Sequence, residues 1–146
     1  MEDQDIQEIK RKKKYLKRYR NNEACISRLE VKLDLLTERI ESVKSTKFSD
    51  MPKGGNPVTM DDLITDKIDL ERRINRLKKK RSNIRDSIID EIDTLEDPRY
   101  CEVLEAYFID GQSIADIADD MGYTDRHIYT LYKDAIRELA LNPIHN

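Results

Sequence analysis

Between Ile6 and Lys44 the chain contains neither proline nor glycine. Glycine weakens a helix interior through its backbone entropy, and proline breaks it by steric clash and a missing N–H. Their absence lets one helix run through the whole stretch. Within it Ile26, Leu29, Leu33, Leu36, Ile40 and Val43 recur in alternating steps of three and four. Such steps keep one narrow apolar stripe on a single face, the a/d seam of a coiled coil. Tyr15, Tyr19 and Asn22 carry the register upstream with a weaker, partly polar seam. At 1.5 Å per residue this helix is on the order of 60 Å long.

The segment STKFSDMPKGGNPV, residues 45–58, stops the pattern: Pro52, Gly54, Gly55 and Pro57 forbid a continuing helix. Phe48 and Met51 are expected to tuck against the helix ends. Thr59 and Asp62 then have the spacing of a capping box, with a short carboxylate in place of Glu. A second long helix is expected from Met60 to Leu95. Leu63, Leu70, Ile74, Leu77, Ile84, Ile88 and Leu95 keep its heptad phase, interrupted by Lys67, Arg81 and Glu91. Ile64, Ile68, Ile89 and Ile92 widen the stripe, as suits a helix with more than one neighbour. Two amphipathic helices joined by a turn-rich loop make an antiparallel hairpin the simplest arrangement. Neither buries its stripe alone, so the hairpin must pair internally, with another copy, or both, and a homo-oligomer through the coiled coil is the expectation taken forward.

Asp97-Pro98 starts a different pattern. Asp97 suits an N-cap and Pro98 the first helical position. The next helix, Pro98 to Ile109, presents Tyr100, Val103, Leu104, Tyr107 and Phe108 on one face and ends at Asp110-Gly111. Ser113, with Asp116 three residues on, caps the second short helix, which Gly122 ends; Thr124 caps the third, running to about Leu141. Ala118, Gly122, Ile128 and Leu131 stand at helix-turn-helix spacing: a small residue at the helix crossing, a glycine at the sharp turn and two core positions on the second helix. Met121 and Tyr123 supply apolar contacts at the turn. The expected fold is therefore all-α, a long antiparallel coiled-coil hairpin over 1–96 with its loop at about 45–59, followed by a helix-turn-helix three-helix bundle over 97–146.

In the third helix Ile128, Leu131, Ala135, Ile136 and Leu139 face inward on this reading. Asp125, Arg126, His127, Tyr129, Thr130, Lys133, Asp134 and Arg137 face outward. Arg126 can read a guanine edge through a bidentate contact, and Lys133 can reach a base or a phosphate. His127 and Thr130 offer shorter contacts, and Tyr129 a thymine methyl or a phosphate. Ser113 and Thr124 at the two helix starts, with Arg137, complete the expected double-stranded DNA-binding set. Charge runs against this: from Asp97 to Asn146 four Lys/Arg stand against ten Asp/Glu. Phosphate neutralisation supplies much of DNA affinity, so one copy of this bundle should bind weakly.

Two basic blocks bear on that deficit. The first, Lys10 to Arg20, reads either as a phosphate-contacting surface or, if facing residue numbers in a hairpin sum to about 105, as the partner of Asp86, Asp90, Glu91, Asp93 and Glu96, and charge complementarity within the chain is the favoured account. The second includes Arg72, Arg73, Arg76, Lys78, Lys79, Lys80 and Arg81. It faces a mixed surface of Glu23, Arg28, Glu30 and Lys32, and is the better candidate for phosphate or an acidic partner.

With 39% charged and 6% aromatic residues, long exposed helices are favoured over a compact globule. Cys25 and Cys101 are far apart and form no CxxC, which argues against a zinc site or a disulfide scaffold. No metal, no cofactor and no catalytic residue is expected: His127 and His145 pair with no nucleophile at a recognisable spacing, and PKGGNP lacks the surroundings of a phosphate loop. No apolar run is long enough for a membrane, and MEDQDIQEIKRKKK has no signal-peptide core, so a cytoplasmic location is expected.

The segment LEDPRYCEVLEAYFIDGQSIADIADDMGYTDRHIYTLYKDAIREL resembles region 4 of bacterial sigma factors. With SDMPKGGNP and the D-rich helix start after it, the chain is more similar still to phage late transcriptional regulators of the RinA and ArpU type, over about Leu29 to Leu139. The resemblance implies activation of phage late operons in Gram-positive hosts, by binding near a promoter and working with host RNA polymerase. It sets Thr124 at the recognition-helix start and Asp125, Arg126, His127, Tyr129, Thr130 and Lys133 outward. Sigma factors are richer in arginine there; Asp125 and Tyr129 depart from the pattern. The alternatives are a small terminase-like DNA-packaging protein, disfavoured by the C-terminal place of the motif, and a sigma-like protein-interaction module without DNA affinity of its own.

Overall fold

The computed structural model describes residues 2–45 and 59–141. These form α-helices and no strand: α1 (Glu2–Leu16), α2 (Arg18–Ser45), α3 (Met60–Ile92), α4 (Pro98–Phe108), α5 (Ile114–Met121) and α6 (Asp125–Glu138). The expected contacts of Phe48 and Met51 lie outside the described residues.

The helix expected from Ile6 to Lys44 is divided at Lys17. Its N–H still donates to the carbonyl of Lys13, and its own carbonyl accepts from the N–H of Asn21, both at 2.9 Å. The two residues before the division, Tyr15 and Leu16, are both buried. Neighbours on a helix point about 100° apart, so burying both needs more than one neighbouring surface. Tyr15 keeps the heptad register, whereas Leu16 lies beside it.

Two compact units divide the chain: residues 1–22 with 81–146, and residues 23–80. The boundary expected at 96/97 thus falls inside the first unit. The reason is a shared core: Tyr15 and Leu16 of α1, and Ile88 and Ile92 of α3, are buried in one cluster with Val103, Leu104 and Phe108 of α4, Ile117 and Ala118 of α5, and Ile128, Leu131, Ala135 and Ile136 of α6. The C-terminal part of the α3 stripe has the additional neighbour its width called for.

Helix ends in this unit follow local chemistry. Asp97 caps α4, its carboxylate accepting from the Arg99 N–H at 2.9 Å with Pro98 in the first turn. Ser113 and Asp116 form both bonds of a capping box, at 3.1 and 3.3 Å. Gly122 closes α5 in the left-handed region, φ 73°, a conformation that costs a residue with a Cβ about 1–2 kcal/mol. Thr124 then caps α6 by accepting from the His127 N–H at 3.1 Å. α6 ends at Glu138, earlier than the expected Leu141; Leu139 turns extended yet stays fully buried.

The second unit has a smaller core. Ile26 and Leu29 of α2 and Ile74 of α3 are buried together, with Cys25, Leu33, Leu70 and Leu77 half-buried against them. Lys78 pairs with Glu30 at 3.6 Å. Thr59 and Asp62 make the expected capping box at the start of α3. Ile64 and Ile68 do not find a second neighbour: they remain 40% and 43% exposed, and Val31 and Leu35 of α2 are more exposed still.

Candidate nucleic-acid interface

α6 separates its faces cleanly. Ile128, Leu131, Ala135 and Ile136 are buried, while Asp125, Arg126, His127, Tyr129, Thr130, Lys133 and Arg137 are exposed, with Asp134 half-buried. The 3.6-residue period imposes this division once one stripe enters the core.

The exposed set is not uniformly available. The hydroxyls of Ser113 and Thr124 are engaged as caps, so these two shape the helix starts. Thr130 donates to the Arg126 carbonyl at 3.1 Å, a bond back along its own helix. His127 meets the Tyr123 ring edge-on, centroids 4.7 Å apart. Of the two residues expected to supply apolar contacts at the turn, Met121 packs on the core, while Tyr123 is exposed and makes its contact with His127. Lys133 Nζ stands 5.2 Å from the centroid of the Tyr129 ring, and that ring stacks on Tyr132. Arg126 and Arg137 have no ion pair among the described residues, so both guanidiniums are available to a ligand.

Tyr132 is a residue that the sequence pattern missed. It is 6% exposed and joins Tyr107 and Phe108 in a ring cluster with centroid separations of 5.0 and 5.9 Å. Burial, then the neighbouring Tyr107 and Tyr129, push its hydroxyl up to about 12. Tyr132 stands four residues from both Ile128 and Ile136, so the i, i+4 spacing of the inward stripe was the signal for its burial.

The first basic block meets α3 at Tyr15. The Tyr15 hydroxyl donates to the Ser87 carbonyl at 3.2 Å, and its ionisation is raised by burial and then by Glu91. Several cations of the block turn to α4 and α6 instead. Lys12 Nζ donates to the Arg137 carbonyl at 2.9 Å, an acceptor that the end of α6 leaves open, and Arg11 donates to the Leu141 carbonyl beyond that end at 3.5 Å. Desolvation at this position lowers the Lys12 ammonium from its usual range. Lys13 stands over the Tyr132 ring at 5.6 Å and Arg20 over Tyr107 at 4.9 Å. A two-helix pairing scheme does not include these partners.

The second block lies on α3. Arg72, Arg73, Arg76, Lys78, Lys79 and Lys80 are exposed in the second unit, whereas Arg81 is half-buried and belongs to the first. Arg72, Arg76 and Lys79 line one shallow groove with Asp69 and Asn75. Charge on that face is thus mostly basic, as the sequence indicated. Cys25 and Cys101 are unbonded and half-buried; burial raises the Cys101 thiol, whose Sγ sits 3.4 Å from the Ile92 carbonyl. Among the described residues no three His, Cys, Asp or Glu side chains gather to hold a metal, and no helix is long and apolar enough to cross a membrane.

A family model described as "Protein of unknown function (DUF1492)" matches residues 40–140. The chain belongs to the DUF1492 family. The DUF1492 match takes in all of α3, α4, α5 and α6, hence the capped turn and the exposed face of α6, and leaves α1 outside it. No curated protein and no solved structure matches the chain.

Proposed function

We propose that the chain is a phage-encoded, sequence-specific DNA-binding transcriptional regulator, an activator of late genes that acts with host RNA polymerase. In this reading α5 and α6 are a helix-turn-helix and α6 enters the major groove. The observation that carries it is the exposed Arg126, Tyr129 and Lys133 face on a helix whose start is fixed by Gly122 and Thr124. That is what a groove-reading helix requires: a rigid entry and an unpaired guanidinium near its N-terminus. The sigma-like and RinA/ArpU-like sequence pattern supplies the promoter and polymerase part of the proposal.

α2 and α3 act in it as an antiparallel coiled-coil hairpin. Support comes from the contact of Glu30 on α2 with Lys78 on α3, whose numbers sum close to the expected value for facing positions. Self-association through that hairpin supplies multiplicity, which offsets weak binding by one copy.

The test is a fluorescence-polarisation measurement on duplexes selected from phage promoter DNA. Arg126→Ala is expected to cost about tenfold to hundredfold in affinity for the preferred site, the loss of one bidentate base contact. Undiminished specific binding by this variant sinks the assignment. The acid surplus of residues 97–146 favours a second reading, a module that meets RNA polymerase and not DNA. Capture of polymerase by a chain with no duplex affinity at low salt selects that one.

A further inference from the structure

A cleft of about 190 Å3 opens between α1 and α6 within the first unit. Ile9 and Ile136 form its apolar lining, and Lys13, Lys133 and Arg137 its charged lining. No carboxylate lines it. None of the three cations pairs with a carboxylate among the described residues; Lys13 and Lys133 rest on the Tyr132 and Tyr129 rings, contacts that leave their N–H donors unused.

The nearby acids are directed elsewhere. Glu8 of α1 is held by Arg11 at 2.9 Å. Asp134 and Glu138, each one position on from a cleft cation, act on Tyr100 of α4, whose phenol is raised by burial and then by these two carboxylates. So in the C-terminal half of α6 Asp134 and Glu138 lie toward α4, and Lys133 and Arg137 toward α1. Three like charges beside apolar side chains repel one another, and an oxyanion among them relieves that repulsion. A guanidinium fork with two ammonium groups suits the oxygens of a phosphate.

Lys13 also belongs to a second, open groove on the α1 surface, lined by Lys10, Lys14, Lys17 and Asn21. These lysines follow the i, i+3, i+4, i+7 spacing of one helix face, a line about 10 Å long. A DNA strand carries a charge every ~3.4 Å of axis, so such a line meets several phosphates, where a free anion would use only the cleft.

We propose that Lys13, Lys133 and Arg137 hold a phosphate group in the cleft between α1 and α6, and that this group is a phosphodiester of the duplex whose groove α6 enters. The phosphate site stands on the cleft alone; its assignment to DNA rests on the reading of α6 given above. Lys13 of the first block then joins, inside the same unit, the few cations of residues 97–146 in meeting the DNA backbone.

The experiment uses the full chain with Lys133→Gln, at an exposed position, and Lys13→Gln, compared with the parent by circular dichroism. Binding to a mixed-sequence duplex is followed by fluorescence polarisation across a salt series. In parallel, inorganic pyrophosphate is titrated without DNA and followed by amide chemical shifts. Each variant is expected to weaken duplex binding severalfold on any sequence and to flatten the log K against log salt slope by about one. If the parent binds duplex and both variants keep its slope and affinity, the cleft proposal is overturned while the α6 reading stands. If the parent binds no duplex even at low salt, the α6 reading fails and pyrophosphate decides. Saturable shifts at Lys13, Lys133 and Arg137, abolished by Lys133→Gln, uphold a phosphate site filled by a free phosphate; no such shifts overturn it.

Discussion

Lys12 Nζ donates to the carbonyl oxygen of Arg137 across 2.9 Å, so the first helix of the chain closes the end of the last. The ammonium meets α6 where its backbone carbonyls point outward and the helix dipole is negative. Lys12→Met removes the donor and keeps the aliphatic stem. The helix dipole favours the ammonium by about 0.3–1 kcal/mol while burial of its charge acts against it, so the expected loss at neutral pH is below about 1 kcal/mol. Urea unfolding of the full chain measures it; a variant as stable as the parent shows that the contact contributes nothing.

Gly122 offers a cleaner backbone test. A Cβ there would meet nothing within 4 Å, so any cost of Gly122→Ala comes from φ 73° and not from a clash. The expected loss is about 1–2 kcal/mol. Gly122→Asn should cost less, because asparagine tolerates the left-handed region. Equal stability of the alanine variant and the parent would mean that the turn re-forms with a different geometry.

The raised Tyr132 hydroxyl makes stability depend on alkaline pH. Its ordinary value is near 10 and the folded value about 12, so the unfolded chain loses this proton first. Its contribution is fully present below pH 10 and is lost as pH climbs toward 12. Tyr15, raised mainly by burial, acts in the same direction. Lys12, lowered by desolvation, acts oppositely, its unfavourable charged form being relieved as pH rises toward the usual lysine range. Thermal melts of the parent and Tyr132→Phe between pH 9 and about 12 should diverge, with the phenylalanine variant falling less steeply. Parallel curves exclude Tyr132 as a source of the slope.

Ile64 and Ile68 stand four residues apart on one face of α3 and remain exposed. If a second copy covers them, sedimentation velocity shows a dimer or larger species for the parent. The double variant Ile64→Lys, Ile68→Lys shifts it at least tenfold toward monomer, two buried aliphatic side chains at ~1.5 kcal/mol or more each being lost. An unchanged distribution places self-association on another surface.

Local chemistry was the part of this fold that could be read directly. The Ser113–Asp116 box, the Asp97-Pro98 start, Gly122 and the buried stripe Ile128, Leu131, Ala135, Ile136 each depend on residues a few positions apart, and each stands where the pattern put it. Tyr132 was legible from its spacing of four to Ile128 and Ile136, whereas the burial of Leu16 depends on helices distant in sequence. The α1 cations failed as a pattern for the same reason. Charge complementarity between two long helices accounts for their composition equally well, and only packing assigns Lys12 and Lys13 to α6. The exposed residues of α6 were legible as a face but not as donors. Ser113, Thr124 and Thr130 commit their hydroxyls to backbone atoms, which spacing alone does not reveal.

The Lys12–Arg137 contact also fixes an order of events during synthesis. The polypeptide leaves the ribosome from its N-terminus, so α1 is made first and its partner carbonyl 125 residues later. α4, α5 and α6 are close in sequence and can gather as they emerge, whereas Tyr15 and Leu16 share a core with Ile88 and Ile92 of α3 as well as with α6, so their cover is complete only when the last of these helices arrives. A product cut short before α6 would therefore leave that apolar pair less than fully covered, beside a run of lysines.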